Sequence, residues 1–225
     1  MNIKNFLHDN ATKYEHWLID NQYGGCHIKI LEHLKDIENG VFVECGACDG
    51  IFQSNTKILE ELGWSGLLIE PSINYFNECK NNRTSICENY ALVSFDYKSD
   101  YIDCVLSKDT ITENESIILM GETEQTKCKT STLSNLLKKH NINKIDFFSL
   151  DVEGYELEVL KGINFNNTDI TYILVEYNIE YSLEDLINLM KINNFELLCN
   201  LSNYNLDNCP TWPETHQDYL FKKTK

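Results

Sequence analysis

Short apolar runs alternate along the chain with segments whose apolar residues recur three and four apart. The first clear run, Val41-Phe-Val43, carries β-forming residues and ends abruptly in a loop of small residues, Cys45-Gly-Ala-Cys-Asp-Gly50. A polar stretch, Gln53-Ser-Asn-Thr56, then leads into Ile58, Leu59 and Leu62 at helical spacing. This pattern predicts strand, tight turn and helix. Upstream, Ile28, Ile30, Leu31 and Leu34 form a helical stripe that Asn39-Gly40 closes, so residues 1–40 read as a helical prelude and 41–225 as the main domain. Residues 66–71 predict a second buried strand and 73–82 a helix with Tyr75, Phe76 and Cys79 inward. Residues 85–93 predict a third strand. The stretch 96–130 is the least patterned, polar and acidic around one apolar patch, Ile117-Ile-Leu-Met120. It reads as an insertion holding a β-hairpin, of the kind that covers active sites.

Regular patterning resumes at Ser131. Thr132 suits the cap of a helix containing Leu133, Leu136 and Leu137. Residues 145–152 predict a strand ending in Asp151, and 153–162 a helix that buries Leu157 and Leu160 and stops at Gly162. Residues 170–177 predict a central strand ending in Glu176, and 183–192 a helix. The last two strands fall at 195–201 and 218–222. Strands that alternate with helices argue for a mostly parallel α/β sheet with helices on both faces, closed by an antiparallel pair.

A glycine loop after one strand and an acid, Glu70, at the end of the next is the layout of a Rossmann-type nucleotide site. The spacing is Glu44-x-Gly46-x-x-x-Gly50 rather than G-x-G-x-x-G, and Glu44 and Asp49 place carboxylates in or beside the loop. Those acids would repel a dinucleotide's pyrophosphate. S-adenosylmethionine has no phosphate and offers a ribose diol, an ammonium and a sulfonium, so the loop favours it over NAD. An ordinary strand-turn-helix corner is the bland alternative.

Composition narrows the partners. The formal charge of the 225 residues is −16, which disfavours a nucleic-acid substrate, because such binding needs cations to neutralise phosphates. Arg83 is the single arginine among 19 basic residues, and reads as coding bias. The first residues hold no apolar core of signal-peptide length, and no apolar run is long enough to span a membrane. The expected setting is a reducing cytoplasm, with no membrane partner. Nine cysteines are scattered without a paired framework; Cys45 and Cys48 form one C-x-x-C with no second pair to complete a zinc site.

In an open α/β sheet, ligands sit beyond the carboxyl ends of the strands. Four strands finish in acids: Glu44, Glu70, Asp151 and Glu176. Their collection on one edge argues for a site, although each alone, Asp151 above all, also suits a helix cap.

The motifs Val43-Glu-Cys-Gly-Ala-Cys-Asp-Gly50, Ser54-Asn-Thr56, Leu62-Gly-Trp-Ser-Gly-Leu-Leu-Ile-Glu-Pro71 and Lys144-Ile-Asp-Phe-Phe-Ser-Leu-Asp-Val-Glu-Gly-Tyr-Glu-Leu-Glu-Val-Leu-Lys-Gly162 together resemble the FkbM family of S-adenosylmethionine-dependent methyltransferases. Thr132-Leu-Ser-Asn-Leu-Leu137, Val175-Glu-Tyr177 and Asp218-Tyr-Leu-Phe221 fit the same pattern, so the resemblance covers residues 22–222. It implies a Rossmann-like class I methyltransferase fold with seven strands, and O-methylation of a hydroxyl on a small molecule or glycan sugar. It implies that Glu44, Gly46 and Gly50, with Ala47 and Asp49 of the same loop, surround the methionyl part. Ser54 and Asn55 would lie near its carboxylate, Glu70 beside Pro71 would bind the ribose, and Asn89, Ala91 and Leu92 would lie near adenine. Asp151 would face the methyl group and the acceptor. Many relatives carry Gln-x-Gly-Glu-Asp before the prelude's helix; here it is Gln22-Tyr-Gly24-Gly25-Cys26, which bears on acceptor choice and on activity itself.

Asp151 is the first candidate for the base that takes the acceptor proton. If the closing strand is antiparallel, His216, ahead of that strand, and Trp212 fall on the cofactor side and are candidate acceptor contacts; otherwise they serve packing. His27 lies in the altered segment; His8, His16, His33 and His140 carry no expected chemistry. Two alternatives stand. Asp151, Glu176 and Asn178 could chelate Mg²⁺ in a metal-dependent methyltransferase, or the chain could be a binding or scaffold protein that keeps the fold.

Overall fold

In chain order the elements are α1 (Ile3–Asp9), α2 (Cys26–Leu34), β1 (Val41–Cys45), α3 (Lys57–Glu61), β2 (Ser65–Ile69), α4 (Ile73–Asn82), β3 (Ile86–Glu88), β4 (Ala91–Leu92), β5 (Tyr101–Ser107), β6 (Thr123–Ser131), α5 (Leu133–Lys139), β7 (Lys144–Leu150), α6 (Glu156–Leu160), β8 (Asp169–Asn178), α7 (Leu183–Ile192), β9 (Phe195–Asn200) and β10 (His216–Lys223). The computed structural model describes residues 3–9, 26–107, 123–203, 205, 207 and 214–224. The Gln22-Tyr-Gly24-Gly25 stretch, His16, the Ile117-Ile-Leu-Met120 patch and Trp212 lie outside the described residues, as do the side chains of His8 and His27.

Seven strands form one sheet in the order β3-β2-β1-β7-β8-β10-β9. β1 pairs parallel with β2 on one side and with β7 on the other. Strand order therefore runs outward from β1 through β2 and β3, then restarts at β7. That reversal opens a crevice at the carboxyl ends of β1 and β7, where such sheets take their ligands. β10 runs antiparallel to β8 and β9, as the closing pair predicts.

The central strands β1, β2, β7 and β8 are buried on both sides because helices cover both faces, whereas the edge strands β3 and β9 are partly exposed. On one face Val43, Ile69, Phe148, Leu150, Ile173 and Val175 pack with Leu133, Leu136 and Leu137 of α5 and with Leu186 and Met190 of α7. On the other, Phe42, Leu68, Phe147, Leu174 and Leu220 pack with Ile28, Ile30, Leu31 and Leu34 of α2 and with Ile58 and Leu59 of α3. The stripe that predicts α2 is thus its core face, and burying each such side chain is worth about 1.5–3 kcal/mol.

Three elements differ from the sequence reading. The strand expected at 85–93 is two strands: β3 extends the main sheet, whereas β4 pairs with β6 in a separate three-stranded sheet ordered β4-β6-β5. The break falls at Asn89, whose side-chain amide donates to the carbonyls of Glu70 (2.8 Å) and Pro71 (2.9 Å) and turns the chain away. The helix expected from residue 153 starts at Glu156, because Glu153 (φ 55°) and Gly154 (φ 97°) adopt left-handed backbone. It buries Val159 and Leu160, with Leu157 only partly covered. Gly162 does not end it by a left-handed turn; a Cβ there would come within 2.2 Å of the Val93 carbonyl oxygen, so close approach is what requires glycine. The final strand begins two residues early, placing His216 on β10 itself. Where the sequence suggests a hairpin, β5 and β6 pair antiparallel, and Cys128 of β6 donates to the Pro71 carbonyl (3.6 Å).

Candidate active site

The ladder register decides which side chains meet. Cys45 pairs with Ile69 on one side and with Leu150 on the other, and Leu150 pairs with Val175. One residue further on, Glu70, Gly46, Asp151 and Glu176 stand level, and Asp218 of β10 pairs directly with Glu176. Side chains level with one another across a sheet share a face. The carboxyl edge therefore presents acids from four strands, with glycine at its centre.

Gly46 must be glycine. Its φ is 80°, and an added Cβ would lie 1.7 Å from the Asp151 carbonyl oxygen. The amides of Gly46 (3.1 Å) and Ala47 (3.2 Å) donate to the Ile69 carbonyl, and the Asp151 amide donates to the Cys45 carbonyl (3.1 Å). These bonds stitch the three loops together where β1, β2 and β7 end.

Glu70 joins two of those loops. Its Oε2 accepts from the Cys48 amide (2.9 Å) and its Oε1 from the Ser72 amide (2.7 Å). Burial pushes it up to about 7, against the pull of those two amides. Burial and the adjacent Glu70 push Cys48 up to about 12, and burial also pushes Cys45 well up, so both cysteines of the C-x-x-C are protonated thiols.

On the β1 side every charge is taken up by neighbours. Glu44 Oε1 accepts from the Asn55 amide (2.8 Å), and Oε2 accepts from Ser54 Oγ (2.8 Å) and Thr56 Oγ1 (2.7 Å). Arg83, with its side chain fully enclosed, lies 3.5 Å from Glu44 Oε2 and 3.2 Å from Glu60 Oε1. Ser54 Oγ also accepts from the amides of Thr56 (3.2 Å) and Lys57 (3.0 Å), and Asn55 donates to Ser149 Oγ (3.1 Å). Asp49 Oδ1 accepts from the Ile51 and Phe52 amides (2.8 Å each), closing its own turn. Gly50 follows at φ 82°.

On the β7–β10 side the acids crowd one another. Burial, then Glu153, Asp218, Glu156 and Glu44, push Asp151 well above the usual carboxylate range. Burial, then Asp151 and Asp218, do the same to Glu176. Like charges so close cannot all ionise. His216 Nδ1 lies 3.7 Å from Glu176 Oε1, and burial lowers its pKa despite Asp218 and Glu153, leaving a neutral ring at neutral pH. Asp218 accepts from the Cys26 thiol (3.5 Å), which brings the end of the altered Gln22–Cys26 segment onto this edge. Asp151 does not cap α6, whose N-cap is Tyr155; the Val152 and Gly154 amides are held instead by Glu156 Oε1 (3.2 and 2.9 Å). Asn178 accepts from the Glu180 amide (2.8 Å) in a turn of its own. Among the described residues no group of three or more His, Cys, Asp or Glu side chains is placed to hold a metal ion.

The structure thus brings together Glu70, Gly46, Ala47 and Asp151, adds Glu176 and His216, and sets Ala91 and Leu92 in β4, just past Asn89. A model of the methyltransferase FkbM domain matches residues 44–197, more than half of the chain. The chain belongs to the FkbM methyltransferase family. No curated protein matches it. Among solved structures, it is similar to a TehB-like SAM-dependent methyltransferase from Corynebacterium glutamicum, at 8% identity and TM-score 0.50 over 98% of this chain and 100% of that one. It is also similar to TrmK from M. capricolum in complex with S-adenosyl-homocysteine, at 9% identity and TM-score 0.48 over 86% and 67%. The sheet, its strand order and the antiparallel closing strand are those of a class I SAM-dependent methyltransferase fold. Among the described residues no helix is long and apolar enough to cross a membrane.

Two residues of this FkbM methyltransferase carry more of the site than sequence reasoning assigns them. Asp218 completes the acid row; the signal was the antiparallel closing strand, whose first residues must stand beside the last residues of β8. Arg83 anchors the β1 loop, and nothing in its local pattern marks it beyond its being the single arginine.

Proposed function

We propose that this chain transfers a methyl group from S-adenosylmethionine to a hydroxyl of a small-molecule or sugar acceptor. The observation that carries the reading is the row Glu70, Gly46, Asp151, Glu176 and Asp218 across the carboxyl edge of the sheet. Its chemistry fits the cofactor: the ionisable side chains of the row are acids, and Arg83 is committed to Glu44 and Glu60. A sulfonium and an ammonium are welcome there, whereas phosphates are not. The net charge of −16 supports an acceptor other than nucleic acid.

S-adenosylmethionine, when bound, supplies a methyl group on a sulfonium that leaves as a neutral thioether. Glu70 accepts the ribose hydroxyls with the outer lone pairs of its carboxylate. The glycine loop lets the backbone approach closely. Asp151, at the crevice, takes the acceptor's proton as the hydroxyl oxygen forms its bond to carbon. Asp151 acts as a base in its ionised form, and a raised pKa strengthens that form's hold on the proton. His216, neutral and beside Glu176, is the second proton acceptor on this edge. Holding the hydroxyl in line supplies about 7–11 kcal/mol, and the base adds roughly a hundredfold to ten-thousandfold. The described cysteines are free thiols, which supports a cytoplasmic setting.

The test is calorimetry with S-adenosylmethionine and S-adenosylhomocysteine, followed by a screen of sugar and small-molecule hydroxyls for methyl uptake. Cofactor binding together with methyl transfer to a hydroxyl supports the reading. Absence of heat and of any thermal shift would favour a scaffold, and transfer to nitrogen alone would remove the O-methyl assignment.

A further inference from the structure

The side chain of Arg83 packs directly against the loop that follows β1. A Cβ on Gly50 would come within 2.7 Å of Arg83 Cγ. Arg83 Nη1 donates to the Gly50 carbonyl (2.9 Å) and to Ser54 Oγ (3.1 Å), and Nη2 donates to Thr56 Oγ1 (3.0 Å). Ser54 and Thr56 in turn donate to Glu44. The guanidinium also lies over the Phe42 ring, 5.5 Å from its centroid, and ion-pairs with Glu60 of α3. Glu60 itself accepts from the amides of Thr84 (3.2 Å) and Ser85 (3.0 Å), which fixes the backbone just after Arg83. Asn82, the neighbouring residue, donates to the Asp49 carbonyl (2.9 Å). The end of α4 therefore grips the loop at residues 49, 50, 54 and 56.

The loop is held at two places by two different devices. Its first half, Gly46 to Cys48, hangs on Ile69 and Glu70 at the end of β2. Its second half hangs on Arg83. We infer that Arg83 is a positioning residue for the cofactor: it sets the second half of the β1 loop, and through it the grip on the amino-acid end of the ligand, while Glu70 sets the ribose end. This rests on the proposal that S-adenosylmethionine occupies the loop. A guanidinium is needed because three acceptors in different directions require a rigid fork; an ammonium is a point charge that cannot serve them together.

Two probes separate this role from a merely structural one. S-adenosylhomocysteine carries the amino-acid part; 5′-methylthioadenosine keeps the adenosine and the thioether but lacks it. Both are titrated calorimetrically against wild type, Arg83→Lys and Thr56→Val, at a temperature where circular dichroism shows each protein folded. For Arg83→Lys the expected result is a dissociation constant for S-adenosylhomocysteine weakened at least tenfold, with that for 5′-methylthioadenosine within about threefold of wild type. Thr56→Val removes one hydroxyl of the same network, and the expected loss is about threefold to tenfold, again confined to S-adenosylhomocysteine. If Arg83→Lys does not fold, Thr56→Val carries the test. Equal weakening of both probes, or unchanged affinity for S-adenosylhomocysteine in the folded variants, overturns the inference. A wild type that binds neither probe overturns the cofactor assignment as well, and is told apart by that control.

Discussion

The two halves of the carboxyl edge use the same residue type to opposite ends. On the β1–β2 half, Glu44 accepts three hydrogen bonds and faces Arg83, and both Glu70 oxygens hold backbone amides. On the β7–β10 half, Asp151, Glu176 and Asp218 stand level on adjacent strands, and burial together with Asp218 raises the proton affinity of Asp151 and Glu176. A carboxylate met by donors gives rigidity. A carboxylate met by other carboxylates gives a group that exchanges protons. Under the proposed function, the first half would hold the cofactor and the second would do the chemistry.

Removing a carboxylate from the satisfied half has the largest expected effect. Glu44→Ala leaves Arg83 buried with one of its two carboxylate partners gone and frees the Asn55 amide. Breaking one side of a buried pair costs about 3–5 kcal/mol, and urea unfolding should show a loss of that size. A loss under about 1 kcal/mol would mean that Glu60 alone suffices for Arg83.

Asp151→Asn tests the crowded half. It keeps the shape, removes the proton acceptor and lowers local repulsion. Turnover should fall a hundredfold or more, with S-adenosylhomocysteine affinity held and the melting temperature no lower than that of wild type. Because Tyr155, not Asp151, stands at the N-cap of α6, preserved capping cannot explain residual activity. Turnover within twofold would shift the base to His216 or Glu176. If EDTA abolishes wild-type turnover and Mg²⁺ restores it, Asp151 is a metal ligand instead.

Glu70 links affinity to pH. Glu70→Ala should weaken S-adenosylhomocysteine by tenfold to more than a hundredfold, since charge-assisted hydrogen bonds are worth about 1.5–3 kcal/mol each. In the free protein Glu70 titrates near 7, above its usual range. Ribose hydroxyls donate to the ionised form, so below that point binding must expel a proton. Wild-type affinity should therefore fall by up to about tenfold per pH unit below 7 and level off above it. A flat profile from pH 6 to 8 would place the ribose elsewhere.

Much of this division was legible in the sequence, but not which acid belongs to which half. The strands that carry Glu44 and Glu176, and the one that stops just before Glu70, follow from apolar runs that lead into acids, although β1 ends at Cys45 and β8 runs on to Asn178; the helices at Ile73–Asn82 and Leu183–Ile192 follow from periodicity. The fate of each acid depends on partners distant in sequence. Glu44 is satisfied by an arginine 39 residues on, and Glu176 is crowded by a strand that opens after the last loop. The break at Asn89 was hidden for the same reason: its amide answers carbonyls 18 and 19 residues away. The late start of α6 was hidden because Glu153 enters left-handed backbone without being glycine, held there by the Glu156 carboxylate on either side of it.

The smallest expected effect is on stability, and its sign distinguishes the two halves most sharply. The folded-state pKa of Glu176 is raised, so its contribution is fully present below its unfolded pKa and is lost as pH rises through the folded value. Above that value the chain must fold around a charge that burial, Asp151 and Asp218 all oppose. Glu176→Gln cannot ionise. It should match wild type near pH 4 and become more stable as pH rises to 8, by on the order of 1 kcal/mol, the ordinary scale of a single substitution. The distance of 3.7 Å from His216 gives no hydrogen bond to lose, and a neutral His216 offers no charge to forfeit. The same neutralisation at Glu44, as Glu44→Gln, should destabilise at pH 8, because there the charge faces a guanidinium. Melting curves of both variants from pH 4 to 8 would settle the contrast: a stability loss for Glu176→Gln at high pH would show that Glu176 is held by a donor, and that its half of the edge is as satisfied as the other.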